Sequence, residues 1–186
     1  LVEGGRANGV RLESGETIHA RAVLANTDPK RTFLKLVGRE HLPDDFADHI
    51  ERLRMGHASL RMNLALKAEP RIAGLSGAGL ATALRSAITI LPSREGAERS
   101  WRIAQDGGIP DEAYVNLQVA SALDDSLAPP GHHVMSLLCK YYPYRLAGNR
   151  SWDAIKDEVA DRVLASITKF IPNLAEITVG RQVLSP

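Results

Sequence analysis

Ser59-Leu60-Arg61-Met62-Asn63-Leu64-Ala65-Leu66-Lys67 is the stretch on which the fold class turns. Leu60, Met62, Leu64 and Leu66 occupy alternate positions, and Ser59, Arg61, Asn63 and Lys67 fall between them, with Ala65 among the polar set. Successive side chains of an extended chain point to opposite faces, so this pattern predicts a strand buried on one side only. Residues 114–121 repeat it with Val115, Leu117 and Val119 on one side. Residues 133–142 repeat it with Met135, Leu137, Cys139 and Tyr141 on one side and Val134 and Leu138 on the other. A fourth, short strand over 86–91 ends at Pro92.

Helical spacing takes over elsewhere. Trp152, Ile155, Val159, Val163, Ile167 and Phe170 form one stripe over 151–170, with Ser151 as a cap and Pro172 as a stop. Shorter helices are expected over 29–37, stopping at Gly38, and after Pro43, where Asp44 and Asp45 suit the positive end of the dipole and Phe46, Ile50 and Leu53 share a face. A further helix is expected over 93–106, anchored by Trp101 and Ile103; residues 70–82, with Pro70, Gly74, Gly77 and Gly79, read as a loop. Long irregular connections between strands favour an α+β body with a mixed or mainly antiparallel sheet of about four strands and three or four helices.

The N-terminal stretch reads differently. Residues 9–25 form a hairpin turning at Ser14-Gly15-Glu16, and Val23-Leu24-Ala25 closes its return arm as an apolar strand end buried on both faces. Asn26-Thr27-Asp28-Pro29 follows as a helix entry, in which Thr27 or Asp28 can cap and Pro29 fits the first turn. The expected organisation is therefore 1–28 as the edge of another domain and 29–186 as the α+β body. Ligands of open α/β sheets bind beyond the carboxyl ends of strands, which makes Asn26 and Asp28 ligand-facing candidates by position.

Composition narrows the function. Twenty-three basic and 22 acidic residues leave a net charge of +1, too little for an electrostatic claim on nucleic acid or an anionic membrane. No apolar run is long enough for a membrane span, and no secretory leader is visible, so a cytoplasmic setting is expected. Cys139 is the single cysteine, which excludes an internal disulfide, and its strand position predicts core packing rather than nucleophilic duty.

Other constellations are incomplete. Gly77-Ala78-Gly79-Leu80-Ala81-Thr82 begins like a phosphate loop but lacks the final glycine and a preceding strand. Gly74-Leu75-Ser76-Gly77-Ala78 misses the last glycine of a nucleophile elbow. Asp124, Asp125, Ser126, His132 and His133 lie close in sequence and suit turn capping, with a hydrolase built on Ser126 and His132 as the sharper alternative. Asp45 and His49, with His41 and His57 nearby, suit a local charge interaction better than a metal site, so no metal is expected. Tyr141, Tyr142 and Tyr144 could line an aromatic pocket, or pack with their hydroxyls reaching water.

Four stretches together resemble a known family. The first runs from Gly9-Val10-Arg11-Leu12-Glu13-Ser14-Gly15-Glu16-Thr17-Ile18-His19-Ala20 through Ala22-Val23-Leu24-Ala25 into Asn26-Thr27-Asp28-Pro29. The others are Ala120 to His133, Tyr141-Tyr142-Pro143-Tyr144 with Trp152 beyond, and Ile171-Pro172-Asn173-Leu174 leading to Arg181-Gln182-Val183-Leu184-Ser185-Pro186. This order is similar to the phytoene-dehydrogenase-like branch of the FAD-dependent amine oxidase superfamily, and within it to pyridine nucleotide-disulfide oxidoreductase domain 2-like proteins. The resemblance implies that 1–28 is a remnant of an FAD-binding domain and 29–186 a substrate-binding domain, the whole an internal fragment. It implies that Asn26, Thr27, Asp28 and Pro29 lie near FAD at the domain crossover, and that the strand faces of 59–67, 114–121 and 133–142 form the substrate-side sheet.

The family's N-terminal G-x-G-x-x-G unit and its glycine-rich C-terminal segment have no counterpart here, so the fragment alone is expected neither to hold FAD tightly nor to be active. The implied parent moves a hydride from an apolar or amine small molecule to its flavin, at a C–N or C–C bond, and no catalytic base is assigned. The missing FAD-binding domain is the expected partner, with a homo-oligomer as a further one. A non-catalytic binding or interaction module is the alternative.

Overall fold

The computed structural model describes residues 1–186 apart from the side chain of His57. Contacts divide the chain into two compact units, Leu1–Met55 and Gly56–Pro186. In the first, β1 (Val2–Glu3) pairs antiparallel with β2 (Arg6–Ala7), and β3 (Gly9–Arg11) pairs antiparallel with β4 (Thr17–His19). The expected hairpin is present but short, and the β1–β2 ladder was not anticipated. The strand expected at Val23-Leu24-Ala25, buried on both faces, is not formed: this stretch is irregular and Leu24 is 93% exposed. An apolar run becomes a buried strand only where neighbouring strands accept its backbone groups, and none does so among the described residues.

A wide helical turn over Lys30–Gly38 follows, and Gly38 ends it at a φ of 99°. Next comes α1 (Asp44–Arg52), which buries Ala47 and Ile50. Phe46 stays at its margin and meets Phe33 edge-on, with ring centroids 5.0 Å apart.

The second unit contains β5 (His57–Leu66), α2 (Gly77–Leu84), β6 (Ile88–Ile90), α3 (Arg94–Gln105), β7 (Tyr114–Val119), β8 (His133–Pro143), α4 (Trp152–Ile167), α5 (Leu174–Ile177) and β9 (Thr178–Leu184). Its five strands run in the order β6-β7-β8-β5-β9, every neighbouring pair antiparallel. The α+β class with an antiparallel sheet is thus the observed one. Leu64 faces Met135, and Leu137 faces both Met62 and Leu117, so the alternate apolar residues of three strands form continuous buried rows. Val159, Val163 and Ile167 of α4 and Leu84 of α2 join the same core.

Several local expectations are corrected. The loop expected over 70–82 contains α2, because Ala78, Leu80, Ala81, Ala83 and Leu84 are helix formers and Leu84 has a core to enter. The sheet has a fifth strand, β9, which follows the four-residue α5; the residue pattern marks neither, because α5 is one turn long and β9 is a largely exposed edge interrupted by Gly180. The last helix ends at Ile167, and Phe170 lies outside it, 37% exposed. Tyr141 does not share the buried face of Met135, Leu137 and Cys139. Ala58 pairs with Tyr142 and Leu60 with Cys139, so β8 carries one extra residue there, and Tyr141 sits at a φ of 64°. This bulge inverts the alternation and sends Tyr142 into the core, where it is 2% exposed.

Two sets of contacts fix α4 against the sheet. The buried Trp152 Nε1 donates to the Pro143 carbonyl at 3.0 Å, its ring lying 6.0 Å from that of Tyr142. Arg181 of β9 reaches Asp157 at 3.3 Å and also pairs with Asp161, both on α4.

Gly107 offers a direct check on the packing beyond α3. Its φ is 76°, and a Cβ there would lie 2.7 Å from the Ala147 nitrogen and 3.0 Å from the Arg145 carbonyl oxygen. Gly107→Ala is expected to cost about 2 kcal/mol or more in urea unfolding. Gly131→Ala, at a φ of 77° but with open space around it, should lose only about 1 kcal/mol.

Candidate functional site: the open face of the sheet

Because β5, β7 and β8 bury every second residue, their other residues gather on the opposite face. The register sets these in rows. One row reads Thr89, Asn116, Leu138, Arg61, Leu184 across all five strands. The next reads Gln118, Ser136, Asn63, Gln182, and a third Val134, Ala65, Gly180. Beyond the first row lies the pair Tyr114 and Lys140.

The second row is a hydrogen-bonded chain. Ser136 Oγ donates to Asn63 Oδ1 at 3.0 Å, and Asn63 Nδ2 donates to Gln182 Oε1 at 3.0 Å. The Gln182 amide nitrogen is left as an outward donor. Lys140 Nζ stands 4.8 Å from the centroid of the Tyr114 ring, a cation–π contact, and Tyr141 meets that same ring edge-on at 5.5 Å. These rows hold two cations, Arg61 and Lys140, and no Asp or Glu.

The Asn26–Pro29 turn is a helix entry of the expected form. Asp28 Oδ1 accepts from the Arg31 nitrogen at 2.9 Å, and Thr27 Oγ1 lies 2.5 Å from Thr32 Oγ1. Pro29 is helical, at a φ of −59°. The polar atoms of Thr27 and Asp28 thus serve the turn itself.

The remaining candidates separate. Gly77-Ala78-Gly79 opens α2 after a turn, not after a strand. Ser126 Oγ donates to Asp124 Oδ1 at 2.6 Å, and this bond together with that from the Ser126 nitrogen holds the Asp124 carboxyl below its usual range. His132 Nδ1 contacts the Pro130 carbonyl at 3.3 Å, and no hydrogen bond joins His132 to Ser126 among the described residues. The hydrolase alternative therefore loses its catalytic pair. His133 instead meets Ser121 Oγ at 3.2 Å, a contact sequence proximity did not suggest, while Ser121 Oγ also accepts from the Val134 nitrogen at 3.1 Å and ties the loop to β8. Asp45 and His49 lie exposed on α1, His41 is 3.8 Å from Glu40, and the side chain of His57 is outside the described ones; no group of three metal-ligating side chains occurs among the described residues. The three tyrosines diverge: Tyr141 on Tyr114, Tyr142 in the core, Tyr144 68% exposed. An apolar groove of about 290 Å³, lined by Ile72, Ile88, Leu117, Phe170 and Ile171 among others, lies on the buried side of β6.

No family model matches the chain. It is 33% identical, over 98% of its length, to pyridine nucleotide-disulfide oxidoreductase domain-containing protein 2 of Mus musculus, and equally to that of Rattus norvegicus. It is 24% identical, over its full length, to the chloroplastic prolycopene isomerase of Daucus carota. The resemblance to the phytoene-dehydrogenase-like branch is thereby shown along the whole chain. The chain spans about a third of these relatives, 32% of the mouse and rat proteins and 28% of the carrot one. A crystal structure of a Pyrococcus furiosus protein superposes with a TM-score of 0.48 at 16% identity, covering 96% of this chain and 34% of that one. No helix is long and apolar enough to cross a membrane among the described residues.

Cys139 is fully buried behind this face, and burial pushes its thiol from 9.0 up to about 12; burial moves the Tyr142 hydroxyl upward too. The native state therefore keeps protons that the unfolded chain releases. Their contribution to stability is whole below pH 9.0 and fades as pH rises toward about 12. Urea unfolding across that window should show the decline, shallower in Cys139→Ala, and Cys139 should resist a thiol reagent in the folded protein at pH 8.

Proposed function

We propose that this chain is the substrate-side portion of an FAD-dependent oxidoreductase, in whose full-length form the flavin takes a hydride from a carbon of a small-molecule substrate. The open, polar sheet face carries this reading, because it sets an ordered array of side chains opposite a helix-covered core in a chain related to oxidoreductase-named proteins. Residues 1–28 are read as the piece belonging to the FAD-binding domain and 29–186 as the substrate domain, with Asn26, Thr27, Asp28 and Pro29 nearest the cofactor.

The residues present do not fit FAD on their own. A pyrophosphate needs free backbone N–H groups at a glycine turn between strand and helix. The glycine pair at the start of α2 follows a turn, and the Asp28 carboxylate and the Thr27 hydroxyl are already engaged. This chain's own residues supply a wall: the Ser136-Asn63-Gln182 chain orients polar groups, and Leu138, Val134 and Leu184 offer apolar surface.

A longer form of the protein, extended at both ends, tests the proposal through its absorbance in the flavin bands. It should purify yellow, whereas the 186-residue chain should be colourless. A long form that folds fully and remains colourless after incubation with FAD would overturn the reading.

A further inference from the structure

Of the 17 arginines of this chain, seven have a carboxylate within 4.0 Å among the described residues, Arg31 included. Arg39, Arg94, Arg99, Arg102, Arg162 and Arg181 each have a carboxylate within ion-pair distance. Arg61 belongs to the other ten, and its place on the sheet sets it apart. It lies exposed on the open face, and neither it nor Lys140 has a carboxylate partner among the described residues.

Lys140 is held in place without being neutralised. Its ammonium rests on the Tyr114 ring, which Tyr141 braces from the bulge. Arg61 pairs across the ladder with Leu138, two residues from Lys140 on the same strand. The two residues thus stand diagonally across the β5–β8 ladder on one face, with the Lys140 ammonium resting toward β7 on the Tyr114 ring. Leu138 and Leu184 flank Arg61 in its own row, and Leu184 is 46% exposed.

We propose that the open face recognises a substrate made of an apolar chain ending in a carboxylate, with Arg61 and Lys140 as the pair that selects the anion. The guanidinium fork matches a carboxylate with two parallel hydrogen bonds, and Lys140 adds a point charge beside it. Leu138 and Leu184 take the apolar part. An amine head group meets two like charges and no counter-ion here, so the choice between apolar and amine substrates left open by family resemblance resolves toward neither: the head group is an anion. The inference rests on the reading of this face as the substrate side.

The test titrates the isotope-labelled 186-residue chain with decanoate, decanol and decylamine, each below its micelle concentration, and follows backbone amide shifts. Decanoate should move the amides of Arg61, Asn63, Leu138 and Lys140. Its affinity should fall about tenfold in Arg61→Gln and in Lys140→Gln, less in Arg61→Lys, with decylamine at least about tenfold weaker than decanoate. Equal binding of decylamine, or decanoate binding unchanged in both glutamine variants, overturns the proposal. A second arm uses the longer, flavin-loaded form. Decanoate binding that depends on Arg61 and Lys140 but leaves the flavin spectrum unmoved retains the anion site and removes the substrate-side reading. Loss of flavin affinity in the two variants, with decanoate binding intact, assigns the cations to the flavin and overturns the proposal.

Discussion

Everything in the larger unit depends on the pairing of β5 between β8 and β9. A strand alternates its side chains with a period of two, so one residue of slippage would move Leu60, Met62, Leu64 and Leu66 out of the core and Arg61 and Asn63 into it. Burying four such apolar side chains is worth several kcal/mol, roughly 1.5–3 each, and burying an unpaired guanidinium opposes it further. The register is therefore strongly specified, and the rows of the open face are specified with it. Arrangement of that face is a by-product of core formation: the polar residues stand where they do because their neighbours are apolar.

The clamp between β9 and α4 works on the same logic at the edge. Arg181 lies two positions from Val183 on the core-facing side of its strand, but at the margin, where its guanidinium reaches Asp157 and Asp161. Exposed pairs of this kind contribute modestly, yet a fork held by two carboxylates fixes direction as well as distance. It sets the lateral position of a strand that buries few side chains of its own.

How much of this could be read from residue order follows from what local pattern can carry. β5, β7 and β8 were legible because burial on one face writes a period-two signal, and α4 was legible because Trp152, Val159, Val163 and Ile167 write a helical one. β9 was not, since an exposed edge strand has little burial to record. The side taken by Tyr141 is not legible, because a bulge is a property of two strands and leaves no mark in one. The capping of the helix after Asn26–Pro29 was readable from residue types alone. The open face was legible only by halves: its polar positions could be picked out strand by strand, but that Ser136, Asn63 and Gln182 form one chain, or that Arg61 and Lys140 are neighbours, is a fact of register across 119 and 79 residues of sequence.

The bulge at Tyr141 imposes a parity rule on the strand that carries it. The bulge takes up the one extra residue between Cys139 and Tyr142, so deleting that residue would restore regular pairing with Tyr142 still inward, whereas keeping the length without the bulge would turn Tyr141 inward and displace the Pro143 carbonyl that Trp152 uses. A one-residue change of length at this point is therefore absorbed by gaining or losing the bulge, not by sliding the ladder. The left-handed backbone at Tyr141 is the local toll of seating an odd residue in an otherwise even ladder.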